Sequence, residues 1–176
     1  MFINPVAGRR QLILEKPCGS DIVNGKFFPV KVYYVNVISL RETNMVAEVT
    51  PEQAWQILQD NPETILLDVR SKVEFDYVGH PVGAVNVPLQ EPPHWQTDPA
   101  FAETVIEQLG EASKDVTVLT LCRSGKRSML AATLLEEKGY KQTVNIAEGF
   151  EGDPDENRHR GNLNGWRFHK LPWEQT

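Results

Sequence analysis

Val116-Thr-Val-Leu-Thr-Leu121, Cys122-Arg-Ser-Gly-Lys-Arg-Ser128 and Met129-Leu-Ala-Ala-Thr-Leu-Leu-Glu-Glu-Lys-Gly139 are three consecutive segments from which the fold of this chain is read. The first is short, continuous and rich in Val, Leu and Thr, as a buried strand is. The third carries Leu130 and Leu134 one turn apart and ends on Gly139, the pattern of a helix and its stop. Cys122 thus falls where a strand passes into a helix, a place where backbone N–H groups and the helix dipole favour an anion. Arg123, Lys126 and Arg127 add three cations to the same loop. A free thiol titrates near ~8.5 and drops to roughly 3.5–7.5 beside a helix N-terminus or cations, and the thiolate is the nucleophile. The segment predicts a reactive cysteine that meets anionic substrates. A buried structural cysteine, the ordinary fate of a lone thiol, would require no loop of Gly, Ser and three cations after it.

Working outward, strand and helix signals alternate. Val46–Val49 reads as a strand, and Thr50-Pro51-Glu52-Gln53 as a helix start with an N-cap Thr, Pro at N1 and a capping-box Gln. Ile65–Val69 is a second buried strand, and Ser71 with Glu74 forms another capping box. Ala84–Val87 is a third strand, stopped by Pro88. Asp98-Pro99 opens a helix carrying Phe101, Val105 and Leu109, closed by Gly110, and Thr143–Ala147 is a fifth strand. Alternation of this kind predicts an α/β fold, a mainly parallel five-stranded sheet with helices on both faces. Ligands of such sheets bind at the carboxyl ends of the strands, which is where both Cys122 and Asp68 fall.

The chain has 176 residues, 40% hydrophobic and 24% charged, enough for one domain with a proper core. Its net charge of −6 argues against nucleic-acid binding, which needs a basic surface. Charge is unevenly spread: residues 1–44 hold six Lys/Arg against three Asp/Glu, and the remainder 12 against 21. The first segment also scatters Pro5, Pro17, Pro29, Gly8, Gly19 and Gly25 without helical periodicity. A flexible extension over 1–44 and a domain over 45–176 are expected. The apolar run Val30–Leu40 is 11 residues long, where a membrane span needs about 20. Behind Arg9 and Arg10, only Leu12-Ile13-Leu14 stands for a signal-peptide core of about 7–15 residues. The two cysteines, Cys18 and Cys122, form no disulfide framework, so a cytoplasmic location is the expectation. His94, His159 and His169 show no metal-ligand spacing, and neither a metal nor another cofactor is expected.

With these elements placed, the chain resembles the single-domain rhodaneses, a sulfurtransferase family. The matching residues are Leu66-Leu-Asp-Val-Arg70, Glu74-Phe75, Gly79-His80-Pro-Val-Gly83-Ala84-Val-Asn86-Val-Pro88, the Cys122-Arg-Ser-Gly-Lys-Arg127 loop, and Gly165-Trp166 with Leu171-Pro172-Trp173. The resemblance implies that Cys122 takes sulfane sulfur from a small anionic donor such as thiosulfate. It would hold that sulfur as a persulfide and pass it to cyanide, a thiol or a protein acceptor. Arg123, Ser124, Gly125, Lys126 and Arg127 are then the substrate-binding residues. Their backbone N–H groups face the anion, and Gly125 permits the tight turn. Ser124 and Ser128 are within reach of either the sulfur or a capping role, with capping the expectation for Ser128. Asp68 and Arg70 match the family's Asp-Val-Arg motif and are expected to brace the site, with Arg70 paired to Glu74. His80 is expected to hold a loop rather than to act as a base.

Two departures stand out. Where the family commonly has a Gly-Gly pair and soon a Trp, Glu148-Gly149-Phe150 is followed by an acidic insertion to Gly161 before Trp166. Its position suggests a segment bordering the Cys122 pocket, either a gate or a plain surface loop. The 1–44 extension is the other. Two rival readings remain. A phosphatase of the cell-cycle Cdc25 type needs Cys-x5-Arg to seat a tetrahedral phosphate, whereas Arg127 gives Cys-x4-Arg. An inactive interaction module of this fold typically lacks the cysteine, although a sulfur carrier serving a biosynthetic partner would use the same persulfide.

Overall fold

A computed structural model describes residues 46–175. The expected extension over 1–44, Cys18 within it and the start at Met45 lie outside the described residues. Strand β1 (Ala47–Val49) leads into helix α1 (Pro51–Asp60), which opens as its sequence dictates. The Thr50 side chain accepts from the Gln53 N–H, and the Gln53 side chain accepts from the Thr50 N–H. Strand β2 (Ile65–Asp68) follows, then a π-helical turn (Glu74–Val78), β3 (His80–Pro81) and β4 (Val85–Asn86). Helix α2 (Phe101–Leu109) and a 3-10 turn (Glu111–Asp115) precede β5 (Thr117–Leu121), α3 (Lys126–Glu137), β6 (Gln142–Ile146) and β7 (Trp173–Glu174).

The main sheet runs β1-β6-β5-β2-β4 with every pairing parallel. Consecutive strand residues point to opposite faces, and the two cores follow from that. Leu67 and Val118 pack on one face with Phe101, Val105, Ala131 and Leu135 of α2 and α3. Leu66 and Leu119 pack on the other with Ala54, Phe150 and Trp166, joined by Trp55 and Ile57 of α1. The expected helix-covered parallel sheet is therefore what forms. Strands β1, β2, β4 and β5 are one or two residues shorter than their expected runs, and β6 is shifted one residue toward the N-terminus.

Three details differ from the pattern. Helix α3 turns Ala131, Ala132 and Leu135 inward and leaves Leu130 exposed. Small alanines let it sit close to the sheet, so the buried stripe is not the one its leucines mark. Asp98 caps a preceding turn by accepting from the Ala100 N–H, and the helix proper starts at Phe101. Strands β3 and β7 form an antiparallel pair of two residues each, His80 opposite Glu174 and Pro81 opposite Trp173. Among the described residues no helix is long and apolar enough to cross a membrane.

Candidate active site

Cys122 follows the last residue of β5, and its loop is shaped from behind. The N–H of Phe150 donates to the Cys122 carbonyl (2.8 Å), and those of Glu151 and Gly152 donate to the Arg123 carbonyl (3.0 and 3.2 Å). This approach is close enough to demand glycine on both sides. A Cβ on Gly149 would lie 2.5 Å from the Cys122 carbonyl oxygen, and one on Gly125 only 1.9 Å from that of Ala147. Gly125 also sits at φ +87°, a left-handed conformation that other residues avoid. The start of α3 leaves its first donors open: the N–H of Met129 bonds back to Gly125, and those of residues 123–127 have no partner among the described residues.

In front of the loop lies a cavity of about 400 Å³ lined by Glu74, Gln90, Trp95, Cys122, Arg123, Ser124, Lys126 and Arg127. The expected substrate-binding residues are thus brought together, with Gly125 serving the turn. Cys122 itself is 1% exposed, so its sulfur is recessed at the cavity floor. Arg123 and Lys126 are exposed, and among the described residues their side chains have no acidic partner. The outer wall is Trp95, 48% exposed, at φ +52° and with the Arg127 guanidinium 6.0 Å from its ring.

Arg127 is held by Glu74. Its Nη1 and Nη2 donate to Glu74 Oε2 (2.8 Å) and Oε1 (2.6 Å). Glu74 Oε2 also accepts from the Ser71 N–H and hydroxyl, the capping box read from sequence. Burial pushes the Glu74 carboxyl up, but the hydrogen bonds and charge of Arg127, with those of Ser71, outweigh it and leave it lowered to about 2. Burial likewise pulls Arg127 down, and the Glu74 carboxylate overrides it, with the charges of Cys122 and Asp68 adding, so Arg127 is raised.

The expected Arg70–Glu74 pair is not formed. Arg70 instead turns back on Asp68: Nε and Nη2 donate to the Asp68 carboxylate at 3.0 and 2.6 Å, and Nη2 donates to the Gly79 carbonyl at 2.7 Å. Two residues of spacing place both side chains on one face of the extended chain, nearer to each other than to Glu74. Both are fully buried, and neither lines the cavity. The Arg70 guanidinium lies 4.3 Å from the Phe150 ring, so the pair braces the residue whose N–H holds the Cys122 carbonyl.

Ser128 does not cap α3. Its hydroxyl lies 3.3 Å from Cys122 Sγ, because a residue in the first helical turn is directed back over the loop it grows from. His80 is buried, stacked on Phe75 at 3.6 Å, with Nδ1 on the Phe75 carbonyl at 3.0 Å. The acidic insertion lines no part of the cavity. Residues 149–152 support the loop backbone, while Asp153 and Asp155 bond Asn164 and Asn162 within their own segment. A gate at the mouth is not the position it takes.

Gln90 and Trp95 line the cavity, and the sequence did not reveal them. Glu74 was named through its capping box with Ser71 and as the expected partner of Arg70, but not as the partner of Arg127. Among the described residues no group of His, Cys, Asp and Glu is arranged to hold a metal ion.

Comparison with known proteins identifies the family. A sequence-family model described as Rhodanese-like domain covers residues 50–153. A Rickettsia rickettsii protein described as an RP600 homolog is 31% identical over 73% of this chain and 98% of its own length. The thiosulfate sulfurtransferase GlpE of Haemophilus influenzae is 34% identical over 60% of this chain and 85% of its own. The crystal structure of Rv0390 from M. tuberculosis superposes with a TM-score of 0.65 at 35% identity, covering 75% of this chain and 99% of that one. With a parallel sheet, a cysteine loop at the carboxyl end of its fourth main-sheet strand and a family match over most of the described residues, this chain belongs to the rhodanese-like domain family.

Proposed function

We propose that this protein is a sulfurtransferase that carries sulfane sulfur on Cys122. The observation that carries the reading is the recessed Cys122 sulfur at the floor of a cavity whose mouth holds the exposed cations Arg123 and Lys126. The name of the Haemophilus relative, a thiosulfate sulfurtransferase, supports the same class. In the first half-reaction the Cys122 thiolate attacks the outer sulfur of thiosulfate. The new S–S bond forms as the old one breaks, and sulfite leaves with the bonding electron pair. The resulting persulfide anion lies among open loop N–H donors that stabilise its charge without reorganisation. In the second half-reaction an acceptor such as cyanide or a thiolate attacks the outer sulfur, and Cys122 departs as the thiolate. No metal or redox cofactor enters either step.

Arg127, held by Glu74 through both of its terminal nitrogens, is not free to clamp a tetrahedral phosphate, which weakens the phosphatase reading. Intact mass measurement after thiosulfate treatment tests the proposal. The reduced protein should gain about 32 Da, one sulfur on the nucleophile. Cys122→Ser should gain nothing and lose thiosulfate–cyanide transfer, while Cys18→Ser retains both. Adduct formation on Cys122→Ser, or faster turnover of an aryl phosphate than of thiosulfate, would overturn it.

A further inference from the structure

A second row of polar side chains reaches the Cys122 sulfur without touching the cavity. Glu48 of β1, Asn145 of β6 and Thr120 of β5 are register partners across the sheet and so share the face that α3 covers. Asn145 and Ser128 are buried and Glu48 is exposed. The Asn145 Nδ2 group donates to Glu48 Oε2 at 2.8 Å, and its Oδ1 lies 2.6 Å from Ser128 Oγ. The same hydroxyl lies 3.1 Å from the Gly125 carbonyl and 3.3 Å from Cys122 Sγ.

Ser128 has one proton and three acceptors around it. Which acceptor receives it depends on how the Asn145 amide is turned, and that is settled by Glu48. A carboxylate only accepts, so Asn145 must offer its NH2 to Glu48 and its oxygen to Ser128. The shortest contact of the hydroxyl is then to Asn145. We infer that Glu48, acting through Asn145, draws the Ser128 proton away from Cys122 and thereby limits how readily the sulfur holds negative charge. Glu48 and Asn145 are positioning residues in this arrangement. A hydrogen bond given to a charged form favours that form, and withholding it has the opposite effect.

Glu48→Gln reverses the instruction. A Gln amide also donates, so Asn145 can turn over, accept from Gln, and give its NH2 to Ser128 Oγ. The Ser128 proton is then released toward the sulfur. Glu48→Ala removes the instruction altogether and should act in the same direction. Apart from Glu48 itself, the charged groups around the sulfur stay the same in every variant: Arg123, Lys126 and Arg127 from its own loop, Glu74 from the π-helical turn, Asp68 at the end of β2, Arg70 just after it, and Glu151 from the segment behind the loop.

The inference rests on Cys122 being the nucleophile, but its test uses no sulfur donor, so it can fail while the transfer reading stands. Full-length protein is alkylated with iodoacetamide across a pH series, and Cys122 labelling is followed by peptide mass. In Glu48→Gln and Glu48→Ala the pH midpoint should fall about 0.5–1 unit below that of the unchanged protein, the weight of one hydrogen bond shared among competing acceptors. Loss of the Glu48 charge would also lower the midpoint through space, so the same substitutions are repeated on Ser128→Ala. There they should produce only the smaller, through-space part of the shift. An unchanged midpoint in the first background, or a shift of equal size in the second, overturns the proposal.

Discussion

Two arginine–carboxylate pairs flank the Cys122 loop, and they are built for different ends. Asp68–Arg70 is sealed from solvent and closes within three residues of chain. Glu74–Arg127 joins side chains 53 residues apart and stands in the wall of the cavity. The first has no view of a ligand, and its guanidinium is committed through Nε and Nη2 to Asp68 and the Gly79 carbonyl and lies over the Phe150 ring. The second neutralises one of the three loop cations and leaves Arg123 and Lys126 to face an incoming anion. A buried pair whose one partner is removed leaves an uncompensated charge, whereas a pair beside a cavity can be resolvated. Burial therefore separates an architectural pair from one that also tunes the site.

Breaking the buried pair should have the largest effect. Arg70→Ala strands Asp68 in the core and removes the support under Phe150, costing about 3–5 kcal/mol. Chemical denaturation should show it as a large drop in midpoint, and transfer activity should be lost with the fold. An Arg70→Ala protein of unchanged stability would erase the distinction between the pairs.

Breaking the cavity pair should cost less and gain something in return. Glu74→Gln should destabilise by about 1–3 kcal/mol yet lower the KM for thiosulfate several-fold at low ionic strength, because the cavity gains a net positive charge. The pH dependence of stability sharpens the point. A carboxyl lowered in the folded state contributes above its unfolded value and loses that contribution as pH falls through its folded value. For Glu74 the window runs from 4.5 down to about 2, where on the order of 3 kcal/mol is at stake. In Glu74→Gln the acid limb of the stability profile should flatten across that window.

The smallest structural effect belongs to an exposed loop cation that has no acidic partner among the described residues. Lys126→Gln should change stability by less than about 0.5 kcal/mol, while raising the KM for thiosulfate in a way that disappears at high salt. A KM indifferent to Lys126 at low salt would mean that the donor does not pass this side chain.

The contrast also marks what the sequence made legible. Hydrophobic continuity disclosed β5 and β2, capping residues disclosed the start of α1, and the loop chemistry of 122–127 singled out the cysteine that lies at the cavity floor. Each of these is a property of neighbours in the chain. Glu74 was legible as the partner of Ser71 and was assigned to Arg70, because a carboxylate has room for several donors and nothing local says that the remaining ones come from Arg127. The β3–β7 pair is too short to carry a period and joins segments about ninety residues apart. Asn145 read as one more strand residue, and its bond to Ser128 exists only once β6 lies beside β5. Trp95 owes its place at the mouth to an irregular loop with no repeating pattern to follow.

The glycine-lined contact behind the loop has a kinetic meaning. With Ala147, Gly149 and Phe150 pressed against its rear, the sulfur is open only toward the cavity, so under the proposed transfer donor and acceptor would use one doorway in turn. Sulfite would then have to depart before the second reactant arrived. Double-reciprocal plots at several thiosulfate concentrations should therefore run parallel, and each reactant in excess should inhibit by occupying the form of the enzyme meant for the other.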